Sequence, residues 1–333
     1  MNRPLPWPAL RSAMLPLDGS IPDLAPAMVD AFTAILPRSE WRDLTYVDLT
    51  AGSCLLPLAF AAGGAGRVVV NDLAPRTTIA ARALFGGVTV DRAAVRDLLA
   101  QKNPQLRRHT PSFHFACDYL LEPVADIFDR LYHAPWPKPV AAVHRYLALR
   151  WIMGFATAAD GSFDILLSHD PRQLRGPGWR RYLKRAATPE AVLMALADEI
   201  DRGVDLARHT QAAVHEADML ELAPRLRYPA PGLVMVNPPT NGLDEYVIDD
   251  QLVHSLLANR WLPLSQSSES AATFWTRRVR GALAPLPTGT FFLVYGGDGA
   301  VAREKCRAVW SAYGKELATG RAGKAAWAIY RRA

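Results

Sequence analysis

The sequence predicts a parallel α/β sheet that is interrupted by a long, mostly helical insertion. Short apolar runs rich in β-branched residues alternate with helix-like segments over residues 20–85, and this alternation returns at residue 212. Strands that alternate with helices indicate a parallel sheet. The alternation is lost from Gly86 to about Gln211. We therefore expect an α/β domain built from residues 1–85 and 212–333, and an inserted region over residues 86–211.

Two strand–helix units are predicted near the start of the chain. Their strands cover residues 45–49 and 68–70, and their helices begin near Leu55 and cover residues 75–84. A turn of small residues, 50–53, separates the first strand from its helix. Such a turn leaves room for a ligand at the carboxyl end of the strand.

Four further strands are predicted in the second half of the chain. They are apolar runs over residues 213–215, 232–236, 291–295 and 327–330. Gly296 and Gly297 are expected to stop the third of them, and the fourth is expected to lie beside it.

The composition is typical of a globular protein without a membrane span. Of the 333 residues, 50% are apolar and 21% are charged. Glycines and Arg67 break the longest apolar stretch near the front, residues 55–70, so it is shorter than the ~20 apolar residues of a membrane helix. The start of the chain does not resemble a secretion signal. The three cysteines have no metal-ligand spacing. We expect a reduced, cytoplasmic, metal-free protein with no membrane partner.

A candidate nucleotide site lies at the small-residue turn. It comprises Thr50, Ala51, Gly52 and Ser53, and Asp72 follows Gly52 by 20 residues. A carboxylate at that distance commonly binds a ribose. Only one glycine of the dinucleotide pattern is present, and Cys54 stands where a second is expected. The pattern favours a cofactor without a pyrophosphate, such as S-adenosylmethionine (SAM); the alternative is an ordinary strand–helix turn.

A candidate amine-binding segment follows the strand predicted over residues 232–236. It comprises Asn237, Pro238, Pro239 and Thr240. The two prolines remove two backbone donors, which leaves carbonyl oxygens as acceptors beside the Asn237 side-chain oxygen. Paired acceptors suit an exocyclic amine held toward an electrophilic methyl group. The alternative is a simple proline turn.

The predicted insertion carries a basic and aromatic stretch. The net charge is +6, and all but six of the 38 basic residues are arginines, which suit phosphate contacts. The candidate nucleic-acid-binding residues of the stretch are Arg172, Arg175, Trp179, Arg180, Arg181, Lys184 and Arg185. The alternative is a solvated basic loop and helix. No histidine belongs to a metal or triad motif.

Taken together, these motifs resemble those of the Dam-type adenine-specific DNA methyltransferases. The matching pieces are residues 48–54, Asn71-Asp72, Asp218 and residues 237–240. The resemblance implies a Rossmann-like SAM-dependent methyltransferase sheet with an inserted target-recognition region.

The resemblance also implies roles for individual residues. Asp48, Gly52 and Ser53 would contact the methionine part of SAM, Asp72 its ribose and Asp218 its adenine amino group. Asn237, Pro238 and the residues after them would hold the target amine.

Three positions depart from the family pattern. The opening segment, residues 17–21, lacks the family's lysine, and Cys54 replaces a glycine. Thr240 replaces the aromatic residue that would stack on a flipped base, and Tyr246 is the ring expected to take its place.

The sequence thus predicts methyl transfer from SAM to the N6 amine of adenine in duplex DNA, with the base flipped out of the helix. RNA, cytosine N4 and a protein amide stay open as alternative targets. A degenerate methyltransferase fold that only binds DNA is the competing class. A restriction-modification role would need a separate nuclease partner.

Overall fold

A computed structural model describes residues 4–16, 22–100, 110–158, 177–229, 231–237, 252–260, 274–298, 314–322 and 325–333. Its strands are β1 (Thr45–Asp48), β2 (Arg67–Asn71), β3 (Gln211–His215), β4 (Gly232–Val236), β5 (Phe291–Asp298), β6 (Gly314–Ala322) and β7 (Ala325–Arg332). They form one seven-stranded sheet in the order β3-β2-β1-β4-β5-β7-β6. The mixed α/β architecture is compatible with the predicted Rossmann-like class.

Five neighbouring strands, from β3 to β5, pair in parallel. β7 lies antiparallel between β5 and β6, so it alone among the described strands runs against the others. Every residue of β1 and β4 is buried. Strands covered on both faces are typical of a parallel sheet, which explains their continuous apolar sequences.

Two strands differ from the sequence prediction. β5 does not stop at Gly296 but continues to Asp298, with a register shift against β7 between Tyr295 and Gly297. Glycine permits such an irregularity without breaking the strand. β6 was not predicted, because this edge strand has exposed residues at Lys315, Leu317 and Arg321 and no continuous apolar run.

Helices flank the sheet and fill the insertion. Those before β3 are α1 (Trp7–Ala13), α2 (Ala25–Ile35), α3 (Leu55–Ala62), α4 (Pro75–Leu84), α5 (Arg92–Ala100), α6 (Pro111–Ala116), α7 (Glu122–His133), α8 (Lys138–Ala158), α9 (Pro177–Ala187) and α10 (Pro189–Ala207). After β3 follow α11 (Met219–Leu222), α12 (252–258) and α13 (Arg280–Leu283). Shorter helical turns cover Arg38–Asp43, Ala223–Arg225 and Phe274–Val279.

The hydrophobic core has one layer on each face of the sheet. The first layer joins sheet residues such as Val70 to Trp151 of α8 and Ile200 of α10. The second layer packs Val234 and Phe292 against Leu283 of α13. The helices of the insertion therefore share a core with the sheet, and the division into two domains stays a sequence prediction. In the described part of the chain, no helix is long and apolar enough to cross a membrane.

Candidate functional site

The candidate site lies at the carboxyl edge of the sheet, where β3, β2, β1 and β4 end side by side. Their last residues are His215, Asn71, Asp48 and Val236. Ligands of open α/β sheets bind at this edge, in the loops that follow the strands. The order of the strands brings together segments that are far apart in the sequence.

The turn after β1 is bent by two residues in the left-handed backbone region. Gly52 has φ 48° and Cys54 has φ 62°. Gly52 adopts this conformation without steric cost, whereas a side chain at Cys54 is strained. The φ value at Cys54 explains physically why glycine is expected there. The turn is also bonded to the end of β2, since the Ala51 N–H donates to the Asn71 carbonyl at 3.0 Å.

Asp72 closes the turn from the end of β2. Its Oδ2 accepts from the Gly52 N–H at 2.8 Å, and its Oδ1 accepts from the Ala74 N–H at 2.9 Å. Burial raises the pKa of Asp72, while these hydrogen bonds and the Arg76 charge oppose the rise. A carboxylate has about four lone-pair positions, so Asp72 keeps acceptor capacity for a ligand. Next to it, Leu73 exposes 63% of its surface.

Asp48 lies beneath the turn with 2% of its surface exposed. Its Oδ2 accepts from the Tyr46 hydroxyl at 2.9 Å, and its Oδ1 accepts from the Thr50 N–H at 3.2 Å. Burial raises the pKa of Asp48 to about 7, against the opposing effect of both hydrogen bonds. The visible role of Asp48 is to support the turn from the interior.

Asp218 is brought close to the turn by Asn71, a residue that the sequence analysis left without a role. The Asn71 Nδ2 donates to the carbonyl of Leu49 at 2.9 Å and to that of Ala217 at 3.0 Å. Asp218 itself caps helix α11, since its Oδ1 accepts from the Leu220 N–H at 2.8 Å. The adjacency of Asn71 to Asp72 was the available signal, but its partners are set by the fold.

Asn237 joins the same edge from β4. Its N–H donates to the Thr50 Oγ1 at 3.1 Å, so the candidate amine-binding strand end touches the candidate cofactor turn. Ser53 is buried, and its carbonyl accepts from the Leu15 N–H at 3.0 Å. The remaining candidates of this group lie outside the described residues: Pro238, Pro239, Thr240 and Tyr246.

Of the basic candidates, three are exposed on helix α9, namely Arg180, Arg181 and Lys184. Leu183, between them, exposes 42% of its surface. Arg172, Arg175 and the Trp179 side chain lie outside the described residues.

Arg185 lies on the inner face of α9. Its guanidinium donates to the carbonyls of Arg150 and Trp151, both at 3.3 Å, and stands over the ring of Phe155 at 5.1 Å. Burial lowers the pKa of Arg185 to about 10, and the charge of Arg150 adds to this effect. The structure gives this arginine a packing role between α9 and α8.

A second polar cluster lies within the insertion, around Ser112. The Ser112 Oγ is 3.0 Å from the His133 Nε2, and Asp129 Oδ1 approaches that same nitrogen at 4.0 Å. A nucleophilic triad needs the carboxylate on the other ring nitrogen. Ser112 is also fully buried, so this cluster joins helices and does not face a substrate. No group of acidic, histidine and cysteine side chains suited to a metal occurs within the described ranges.

A scan against models of known protein families finds no match for this chain, and a search of the curated proteins finds no similar sequence.

Proposed function

We propose that this chain is a SAM-dependent methyltransferase that acts on the N6 amine of adenine in DNA. The observation that carries the proposal is the 3.1 Å hydrogen bond from the Asn237 N–H to Thr50 Oγ1. Methyl transfer requires donor and acceptor within about 3–3.5 Å of each other. A small-residue turn in contact with an acceptor-rich strand end would bring a donor bound at the turn close to an amine bound at the strand end.

The strand order supports the same proposal. The chain runs from β1 outward to β2 and β3 and then returns to β4 on the other side of β1, so the strand order reverses between β1 and β4, and ligands of open α/β sheets bind at such a switch point. One fold hosts many functions, so the topology supports the site argument without replacing it.

The residues at the edge fit the chemistry of SAM, which supplies an electrophilic methyl group on a sulfonium. Gly52 has no side chain to obstruct a close approach to the turn. Asp72 has lone pairs for ribose hydroxyls, and Asp218 keeps acceptor capacity for an amino group. Leu73 is an exposed apolar side chain that would cover a flat ring. Asp48, through its bonds to Tyr46 and Thr50, would keep the turn in shape.

The target amine would be held by acceptors at the end of β4. The Asn237 side-chain oxygen and the Pro238 carbonyl would accept its two N–H bonds and orient the nitrogen toward the methyl carbon. The exocyclic amine is neutral, so no base must remove a proton before attack. The new N–C bond would form as the bond between the methyl carbon and the sulfonium sulfur breaks, which leaves a neutral thioether, and the proton would then leave the nitrogen for solvent.

The exposed basic face of α9 supports a nucleic-acid substrate over a protein amide. Arg180, Arg181 and Lys184 would contact phosphates, which gives affinity without sequence information. Methylation of a base in duplex DNA also requires the base to leave the stack. Thr240 stands where the resemblance expects an aromatic residue, so Tyr246 would supply the ring that stacks on that base.

The test is a transfer assay with labelled methyl-SAM and mixed-sequence duplex DNA, followed by identification of the labelled nucleoside. We expect label on adenine. The Asn237→Ala variant should keep SAM binding and lose about 100-fold in rate, the effect typical of removing one preorganised polar contact. The control is Gln211→Ala, which removes an exposed amide at the opposite edge of the sheet and should leave the rate unchanged.

Each other outcome would redirect the proposal in a defined way. Label on cytosine would keep the cofactor and change the target. SAM binding without labelled DNA would direct the search to RNA and protein amides. Salt-sensitive DNA binding without SAM affinity would favour the degenerate DNA-binding protein, for which Cys54 and Thr240 are the motivation.

A further inference from the structure

We propose that Asn71 is a positioning residue that fixes the gap between the two loops of the candidate cofactor site. One loop is the turn over residues 49–54, and the other is the segment over residues 216–218 that leads to Asp218. The part of the inference that concerns SAM rests on the proposed function. The part that concerns the loops stands on the geometry alone.

The strand order places Asn71 between the two loops. β2 lies between β1 and β3, and Asn71 is its last residue. A side chain at the end of the middle strand lies within reach of the exits of both neighbours. Asn71 is fully buried and pairs in register with His215 of β3.

The Asn71 amide uses both of its N–H donors, one for each loop. One bond goes to the Leu49 carbonyl at 2.9 Å and the other to the Ala217 carbonyl at 3.0 Å. A primary amide has two N–H donors, so these two bonds use the whole donor capacity of the side chain. Leu49 starts the turn, and Ala217 directly precedes Asp218.

The backbone of Asn71 adds a third attachment. Its carbonyl accepts from the Ala51 N–H at 3.0 Å, so the turn is held on both sides of Thr50. The Thr50 hydroxyl in turn accepts from Asn237. Asn71 is therefore connected by hydrogen bonds to the turn over residues 49–54 and to the segment over residues 216–218. Through Thr50 it is also connected to Asn237 at the end of β4.

The other end of the amide has no such attachments. Among the described residues, the buried Asn71 Oδ1 has no hydrogen-bond partner. The orientation of the amide is thus set by its two donor bonds. Loops that are held at the separation that the bound ligand requires would lose less conformational entropy on binding.

The first test measures hydrogen–deuterium exchange of the ligand-free protein, with Asn71→Leu and Asn71→Asp compared with the wild type. Both variants keep a side chain of similar size and lose both donors. We expect amides of residues 49–54 and 216–220 to exchange about tenfold faster in both, since each loop loses a hydrogen bond that opposes its local opening. Exchange over 291–298 should stay unchanged.

The control is Val294→Ala, a buried substitution in β5, which is separated from β2 by β1 and β4. It should lower global stability without loosening the two loops selectively. The inference is overturned if Asn71→Leu loosens neither loop or only one. It is equally overturned if Val294→Ala loosens the same two loops to the same extent.

The second test measures SAM binding by calorimetry. We expect the dissociation constant of Asn71→Leu for SAM to be about tenfold larger than that of the wild type, and that of the exposed control Gln211→Ala to be unchanged. An unchanged constant in Asn71→Leu would overturn the role of Asn71 at the cofactor site. A wild type that does not bind SAM would overturn the proposed function, while the exchange measurement would still decide the role of Asn71 in the loops.

Discussion

Cys54 shows how a single side chain can be retained at a backbone position that favours glycine. Its φ of 62° lies in the left-handed region, while its thiol is fully buried and lies 3.7 Å from the Thr77 carbonyl. Burial raises the pKa of the Cys54 thiol well above its usual value, so the neutral, unreactive form dominates at neutral pH. Packing beneath the turn is the role that these contacts give the residue.

A comparison of two substitutions at Cys54 would measure this strain. Both Cys54→Gly and Cys54→Ala lose the sulfur, but only glycine removes the left-handed cost of about 1–2 kcal/mol. We expect the glycine variant to have a free energy of unfolding about 1 kcal/mol higher than the alanine variant, measured by denaturant titration. In the helix interior at Ala59, glycine should instead destabilise by about 1 kcal/mol. Equal stability of the two Cys54 variants would mean that the turn relaxes.

Asp48 makes a pH-dependent contribution to stability. An unfolded aspartate ionises near pH 4, whereas burial raises the pKa of Asp48 to about 7 in the folded protein. Between these values the folded state keeps a proton that the unfolded chain has released. Raising the pH across this window therefore lowers the free energy of unfolding, and the decline ends above the folded pKa.

The Asp48→Asn variant should lack that decline. Its stability relative to the wild type is expected to rise from about pH 4 to about pH 7 and then to level off. Denaturant unfolding across this range measures the difference. Asp72 is present in both proteins, and burial raises the pKa of Tyr46 and of Cys54 so that both groups stay neutral throughout the range. Substitution of the exposed Gln211 by alanine removes no titratable group, so it is the control and should give a constant difference. A flat difference for Asp48→Asn would contradict an elevated pKa.

At the scale of the element, helix α9 presents two different faces. Arg180 and Lys184 are exposed, while Arg185 packs over Trp151 and Phe155 and donates to backbone carbonyls of α8. One short helix thus combines side chains available to a polyanion with a cation that joins two helices. The two groups of residues should respond differently to substitution.

Substitutions on the two faces would separate these roles. The double variant Arg180→Gln, Lys184→Gln should weaken DNA binding and reduce the slope of log K against log salt by about 2, since each phosphate contact contributes about 0.9. Arg185→Ala should leave that slope unchanged and lower the free energy of unfolding by about 2 kcal/mol through lost packing and cation–π contact. Binding as a function of salt, with thermal unfolding alongside, measures both. An unchanged slope in the double variant would remove α9 from the DNA interface.

The elements that the sequence predicted best are those whose signals are local. The helix was predicted over residues 75–84 and the strand over residues 232–236, and both have these bounds in the structure. Pro75 marks the start of the helix, and an unbroken apolar run marks the strand. β6 was missed because an edge strand needs no apolar face.

The same distinction holds for the candidate site. Gly52 and Asp72 could be found because they follow strands. The roles of Asn71 and Arg185 depend on partners that the fold supplies, up to 146 residues away in the case of Asn71. Local sequence patterns do not contain that information.

At the scale of the whole molecule, the insertion and the sheet are joined by close packing. Gly203 of α10 lies where α10 meets α1 and α4, and a Cβ at this position would stand 2.7 Å from Ala13 Cβ and from Leu84 Cδ2. At Gly203, the predicted insertion thus packs closely against helices α1 and α4, which belong to the part of the chain that contains the sheet.

This packing predicts that both parts unfold together. Calorimetry should show one cooperative transition, and Gly203→Ala should lower its midpoint because overpacking costs about 1–3 kcal/mol. The matched control is Gly281→Ala in α13, where an added Cβ has nothing within 4 Å and should be neutral or slightly stabilising. Two separate transitions, with only one shifted by Gly203→Ala, would instead support an insertion that folds independently. A single shifted transition would mean that the sheet and the helices of residues 86–211 unfold as one cooperative unit, because the packing at Gly203 couples them.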